Sequence, residues 1–185
     1  MTNLKPTKGK LLISEPSIFS DRTFNRSVVL LTSHDFSGSV GFIFNKPLNL
    51  NIKDILPEID SELPIYYGGP VSKNNLYFIH KVPNLIEDGT EISKGIYWGG
   101  NFNKVKQLLK KNKLHKNNIR FFLGYSGWSA RQLEDELETD SWVVMDNTHT
   151  NIFSKEYQSL WKEEVKRIGG DYLIWANTPE NPSLN

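Results

Sequence analysis

The sequence predicts an α+β fold, and two observations carry that expectation. Strand-like apolar runs and helix-like segments mix along the chain without the regular alternation of a doubly wound sheet. In the first half, neighbouring strand-like runs are spaced as hairpins, which favours antiparallel pairing.

The elements follow in order. Lys10 to Ser14 reads as a first strand. Val28-Val29-Leu30-Leu31 is an uninterrupted β-type apolar run, so its strand should be covered on both faces. Val40 to Phe44 follows His34-Asp35-Phe36-Ser37-Gly38 and should complete a hairpin with a long turn. Asn51 to Ile59 reads as a short helix that Pro57 limits. Ile65 to Tyr67, Leu76 to Ile79 and Ile92 to Trp98 are further strands. Asn103 to Lys113 is a helix with Val105, Leu108 and Leu109 on one face. Ile119 to Leu123 and Trp142 to Met145 are strands, Ser154 to Ile168 is a helix, and Tyr172 to Trp175 completes the pattern as a strand. The tail after Ala176, rich in Asn and Pro, reads as loose.

Bulk properties narrow the class. At 185 residues, with 38% hydrophobic and 12% aromatic content, the chain is long enough for one substantial core, and a single domain over 1–185 with its core in about 9–175 is expected. Lys and Arg (22) nearly balance Asp and Glu (21), so no global field attracts nucleic acid or an anionic membrane. The absence of cysteine removes disulfides, thiolate nucleophiles and Cys-based zinc sites. Met1 to Lys8 lacks the apolar core of a signal peptide, and no apolar run approaches the roughly 20 residues that span a bilayer. These features together predict a soluble, cytoplasmic protein.

One internal echo is present: Ile65-Tyr66-Tyr67-Gly68-Gly69 recurs as Ile96-Tyr97-Trp98-Gly99-Gly100. Glycine pairs at two aromatic strand ends permit sharp turns or close backbone approach.

Phe121 to Leu133 is the most informative stretch, read as a buried strand that breaks at Gly124 and Gly127 and turns into a helix. Ser129 and Gln132 have the spacing of a capping box, and Trp128 and Leu133 that of a hydrophobic staple. A nucleophile elbow at Ser126 would require glycine where Trp128 stands, so a serine hydrolase is disfavoured even though Asp146 and His149 follow in hydrolase order.

Several separate elements carry a family resemblance. They are Gly9-Lys10-Leu11-Leu12-Ile13-Ser14-Glu15-Pro16, Phe24-Asn25-Arg26-Ser27-Val28-Val29-Leu30-Leu31, His34-Asp35, Gly38, Gly41, Asn45-Lys46-Pro47, Tyr67-Gly68-Gly69-Pro70-Val71 and Gly124-Tyr125-Ser126-Gly127-Trp128 with Gln132 to Glu136. In this order they resemble the bacterial YqgE/AlgH family from about Gly9 to near Ile174. The resemblance implies a mainly antiparallel bent sheet closing into a pseudo-barrel, flanked by helices. It also implies a transcriptional-regulator label without an established catalytic activity. The family often has Ala where Ser126 stands, a further argument against a nucleophile, and usually Gly where Arg131 stands.

Candidate chemistry begins at the first hairpin. Arg26, His34, Asp35 and Asn45 fall at strand ends, where side chains leave the core and can converge with Gly68, Gly69, Tyr125 and Trp128 on a ligand-binding cleft. Arg26 suits a phosphate or carboxylate, and a His-Asp pair suits acid–base work. The competing structural reading makes Arg26 and Asp35 a buried pair and Asn45 a turn cap. His34, His80, His115 and His149 show no metal-ligand spacing, so neither a metal nor another cofactor is expected. Lys104, Lys106, Lys110, Lys111, Lys113 and Lys116 with His115 form a basic run, best read as the solvated face of an amphipathic helix. Trp98, Trp128, Trp142, Trp161 and Trp175 are read first as core.

The sequence therefore points to a binding or regulatory protein with no assigned catalytic residue and an unidentified protein or small-molecule partner. Two alternatives stand beside it: a small-molecule enzyme of hydrolase type using His34 and Asp35, and a DNA-binding regulator acting through the lysine-rich helix.

Overall fold

The computed structural model describes residues 4–15, 23–149 and 151–177. Ten strands form one sheet, eight of them in a single path of hydrogen-bonded neighbours. They are β1 (Leu11–Ser14), β2 (Val28–Asp35), β3 (Gly38–Ile43), β4 (Pro47–Asn51), β5 (Pro64–Tyr67), β6 (Val71–His80), β7 (Thr90–Ser93), β8 (Ile96–Trp98), β9 (Ile119–Ser129) and β10 (Trp142–Met145). The helices are α1 (Ile52–Ile55), α2 (Phe102–Lys110), α3 (Gln132–Glu138), α4 (Tyr157–Ile168) and α5 (Tyr172–Asn177). The sheet runs β10-β1-β2-β3-β9-β6-β8-β7, with β5 joining β4 to β9. All of these pairings are antiparallel except β5 with β9. The fold is α+β, as expected.

Alternate residues of β1 and β2 enter different clusters because side chains on a strand point to opposite faces. Leu11, Ile13, Val28 and Leu30 join a large cluster with Phe42, Phe122 and, from α4, Leu160, Trp161 and Val165. Leu12, Val29 and Leu31 pack on the other face with Trp128, Trp142 and, from α3, Leu133. The continuous apolar run of β2 is thus buried on both sides. A third cluster sets Val105, Leu108 and Leu109 of α2 against Ile65, Phe78 and Phe121.

The sheet is bent but not closed by a ladder. Its end strands β10 and β7 do not pair, yet β7 curls back far enough that a Cβ on Gly9 would stand 2.8 Å from Ser93 Cβ. Lys8 Nζ donates to the Glu91 carbonyl across the same gap at 3.0 Å. The two ends of the sheet therefore approach by packing, with a seam where strand pairing stops among the described residues.

Local expectations fail at instructive places. The hairpin turn between β2 and β3 is tight, since Asp35 pairs directly with Gly38. Ile92 to Trp98 is split into β7 and β8 by a turn at Gly95, φ +71°. Tyr172 to Trp175 is helical, in α5, packed on the α4 side of the large cluster. The tail after Ala176 lies outside the described residues from 178 onward.

The largest correction concerns β9. It does not break at Gly124 and Gly127 but continues to Ser129. Phe121 to Leu123 pair with β5 on one edge and with β6 on the other. Residues 68–70, which link β5 to β6, must therefore cross over β9, and they do so at Gly124. Glycines are required there by proximity: a Cβ on Gly68 would lie 2.1 Å from the Gly124 carbonyl oxygen, and one on Gly69 2.3 Å from the Tyr125 carbonyl carbon. Ser126 is fully buried and its hydroxyl donates to the Gly68 carbonyl at 3.0 Å, which secures the crossing and occupies the proposed nucleophile.

The expected capping box at Ser129 does not form, because the N-cap of α3 is Arg131 and Gln132 is already its first residue. Gln132 Oε1 accepts from the Ser129 N–H at 3.0 Å, but the Ser129 hydroxyl donates to that same oxygen instead of receiving the Gln132 N–H. Arg131, at φ +65°, makes the turn between strand and helix in the left-handed region.

No helix among the described residues is long and apolar enough to cross a membrane.

Candidate functional site

The candidate residues divide between the two ends of β2. At its start, Asn45 bridges the backbone: its Oδ1 accepts from the Val28 N–H and its Nδ2 donates to the Arg26 carbonyl, both at 2.8 Å. These bonds fix the approach to β2, where Arg26, two residues before the strand, adopts φ +52°. The Arg26 guanidinium lies 5.1 Å from the centroid of the Trp161 ring. Trp161 is itself held by donation from its indole N–H to the Ser14 carbonyl at 3.0 Å.

Around this contact is a cleft of about 520 Å³ between the start of β2, the link from β3 to β4, and the first turns of α4. Arg26, Lys46 and Lys162 are its basic lining residues and Tyr157 and Trp161 its aromatic ones, and no carboxylate lines it among the described residues. Lys46 Nζ donates to the Thr23 carbonyl at 2.6 Å.

Behind the cleft, Arg120 is buried. Its guanidinium lies 4.8 Å from the Phe44 centroid and 4.3 Å from that of Tyr66, and it donates to the Phe44 and Phe153 carbonyls at 2.7 and 3.0 Å. Burial lowers its affinity for the proton, and burial likewise raises the Tyr66 phenol. Rings and carbonyls thus stabilise a cation that no carboxylate among the described residues bonds directly.

His34 and Asp35 lie at the opposite end of β2. Arg26 and His34 are eight positions apart, roughly 26 Å along an extended strand, so they do not share a cleft. Asp35 is exposed and spent on the turn: its Oδ1 accepts from the Ser37 hydroxyl at 2.5 Å and the Ser37 N–H at 2.8 Å, and these bonds hold its pKa below the usual aspartate value. His34 Nδ1 is 2.8 Å from the Ser39 hydroxyl and its Nε2 is 3.8 Å from Glu134. The structure joins neither residue to Arg26, and an acid–base pair made of His34 and Asp35 has one partner already committed.

Gly68 and Gly69 serve the crossing, and Tyr125 packs edge-on against Tyr77 with centroids 5.7 Å apart. Trp128 is architectural: Phe24 stacks on it at 6.2 Å and Trp142 meets it edge-on at 5.8 Å. The indole N–H groups of Trp128 and Trp142 both donate to Glu136 Oε2 at 2.8 Å. Along α2 and its exit, Lys104, Lys110, Lys111 and Lys113 are exposed while Val105, Leu108 and Leu109 are buried, the arrangement of a solvated amphipathic face. No group of His, Asp and Glu side chains among the described residues is placed to hold a metal ion.

Lys46, Tyr157 and Lys162 were not legible as cleft residues. Tyr157 and Trp161 are one helical turn apart on α4, a spacing that only becomes informative once α4 is known to cover β2.

The open, bent, mostly antiparallel sheet with five flanking helices defines an α+β protein, and its likeness to solved structures is close. It superposes on protein DIP2367 of Corynebacterium diphtheriae with a TM-score of 0.78 at 18% identity, covering 96% of this chain and 95% of that one. With the solution structure of the AlgH protein of Pseudomonas aeruginosa the TM-score is 0.72 at 23% identity, covering 97% and 98%. In sequence it is 43% identical over 181 residues to a UPF0301 protein of Cytophaga hutchinsonii, covering 97% of this chain and 99% of the relative. A UPF0301 protein of Bacteroides fragilis is 39% identical over 186 residues, covering 99% and 93%. The DUF179 family, described as AlgH-like, matches residues 11–173. The chain belongs to this AlgH-like bacterial family.

Proposed function

We propose that the chain acts in the cytoplasm as a binding protein and not as an enzyme, and that the cleft over Trp161 takes a small molecule bearing a carboxylate or phosphate. The lining carries the reading: among the described residues, the charged side chains that line it are Arg26, Lys46 and Lys162, all basic. Asn45 supports it by fixing the backbone that presents Arg26, and the stacked Trp161 ring gives the guanidinium a set direction. Arg120, buried behind without a bonded carboxylate, adds positive potential through a medium that screens poorly. The commitment of Asp35 to its turn and of Ser126 to the Gly68 carbonyl argues against both catalytic alternatives.

Titration with inorganic phosphate, citrate and a nucleoside monophosphate, read by tryptophan fluorescence and calorimetry, tests the reading. At least one should bind, with affinity falling as salt rises and about tenfold or more in Lys162→Glu, a loss of one charge-assisted contact. Lys162 is exposed, so the variant should fold normally. Binding that is indifferent to Lys162→Glu, or no binding by any of the three, defeats it.

A further inference from the structure

A second cavity, of about 330 Å³, lies at the seam where the bent sheet fails to close. The turn between β7 and β8 supplies Lys94 and Ile96, the end of β6 leads into Lys81, and the loop after β10 supplies Asn147 and His149, with Ile152 completing the wall. The two ends of the sheet therefore meet at this site.

Its polar groups are unevenly committed. His149 Nε2 is 2.5 Å from Oε1 of Glu164, a carboxylate of α4 that is fully buried and also paired with Arg167. In the neutral ring, a buried carboxylate facing Nε2 holds the proton there and leaves the lone pair on Nδ1. Nδ1 has no bond within the described residues. Neither Lys81 nor Lys94 has a carboxylate partner among the described residues.

We propose that this seam is a second binding site, for a small organic acid that carries a hydroxyl or ammonium group beside its carboxylate. Lys81 and Lys94 take the carboxylate, while His149 Nδ1 takes the neighbouring donor. Ile96 and Ile152 flank a short carbon chain. The volume stands at the small end of ligand sites, which excludes a nucleotide. The Glu164–His149 pair is an orienting device: Glu164 does not touch the ligand but keeps the Nδ1 lone pair available to it.

The test uses the full chain and four probes: L-malate, L-aspartate, succinate and inorganic phosphate. Affinity is measured by calorimetry, and the His149 ring nitrogens are followed by long-range proton–nitrogen correlation. L-malate or L-aspartate should bind and move the Nδ1 resonance while Nε2 stays protonated. Succinate, which lacks the donor, should bind roughly tenfold more weakly, the loss of one hydrogen bond to a buried acceptor. Lys94→Ala should weaken binding at unchanged thermal stability, because Lys94 is exposed and pairs with no carboxylate among the described residues. No response of His149 to either L-malate or L-aspartate overturns the proposal, as does equal binding of succinate or phosphate. Loss of binding in Lys162→Glu with none in Lys94→Ala would assign the ligand to the Trp161 cleft and overturn it too.

Discussion

Gly68 crosses Gly124 so closely that a Cβ built on it would stand 2.1 Å from the Gly124 carbonyl oxygen. The neighbour is backbone of the central strand, held on both edges by β5 and β6, so it cannot yield. Gly68→Ala should therefore destabilise the protein by about 3 kcal/mol, at the upper end of ordinary overpacking. Gly95→Ala is the control, because nothing lies within 4 Å of a Cβ there and only its φ of +71° is strained. Urea unfolding should give a clearly larger loss for Gly68→Ala; equal losses would mean that conformation, not contact, requires the glycine.

The crossing also explains why β9 was misread. Gly124 and Gly127 break strands by local rules, and nothing local reveals that another segment passes overhead. By contrast, β2 was legible because its apolar run is continuous, and its two faces do enter different clusters. Tyr172 to Trp175 is too short for periodicity to separate strand from helix, and packing beside α4 decided for helix. At the site, Asn45 and Arg26 could be joined from hairpin spacing, whereas placing His34 with them needed the length of β2, which outran its apolar core by four residues, from Thr32 to Asp35. Glu164 and His149 lie on different elements, so no spacing rule pairs them.

His80 supplies the pH dependence. It is fully buried; the Val82 N–H donates to its Nδ1 at 3.2 Å, so the ring proton sits on Nε2 and donates to the Gly99 carbonyl at 3.1 Å. Both nitrogens are used in the neutral form, and burial lowers its pKa from the ordinary 6.5. Below 6.5 the unfolded chain takes up a proton that the native state refuses, so stability falls as pH falls, by up to about 1.4 kcal/mol per pH unit until the folded pKa is reached. Above 6.5 this contribution is flat. His80→Gln should be less stable at pH 8 but lose less between pH 6.5 and 5; parallel curves for the two proteins over that interval would refute the assignment.

Arg131 holds φ +65° at the turn from β9 into α3, where the family resemblance leads one to expect glycine. The left-handed conformation costs an L-residue roughly 1–2 kcal/mol, and glycine avoids it at the expense of greater freedom in the unfolded chain. Arg131 is exposed and makes no side-chain bond to the helix it precedes, so little is lost with it. Arg131→Gly should accordingly raise stability by about 0.5–1 kcal/mol, a gain of about 2–3 °C in Tm for a chain of this size. Arg131→Ala removes the same side chain without relieving the backbone and should give no gain. If calorimetry shows the two variants shifted alike, the cause lies in the arginine side chain and its charge, not in the left-handed turn.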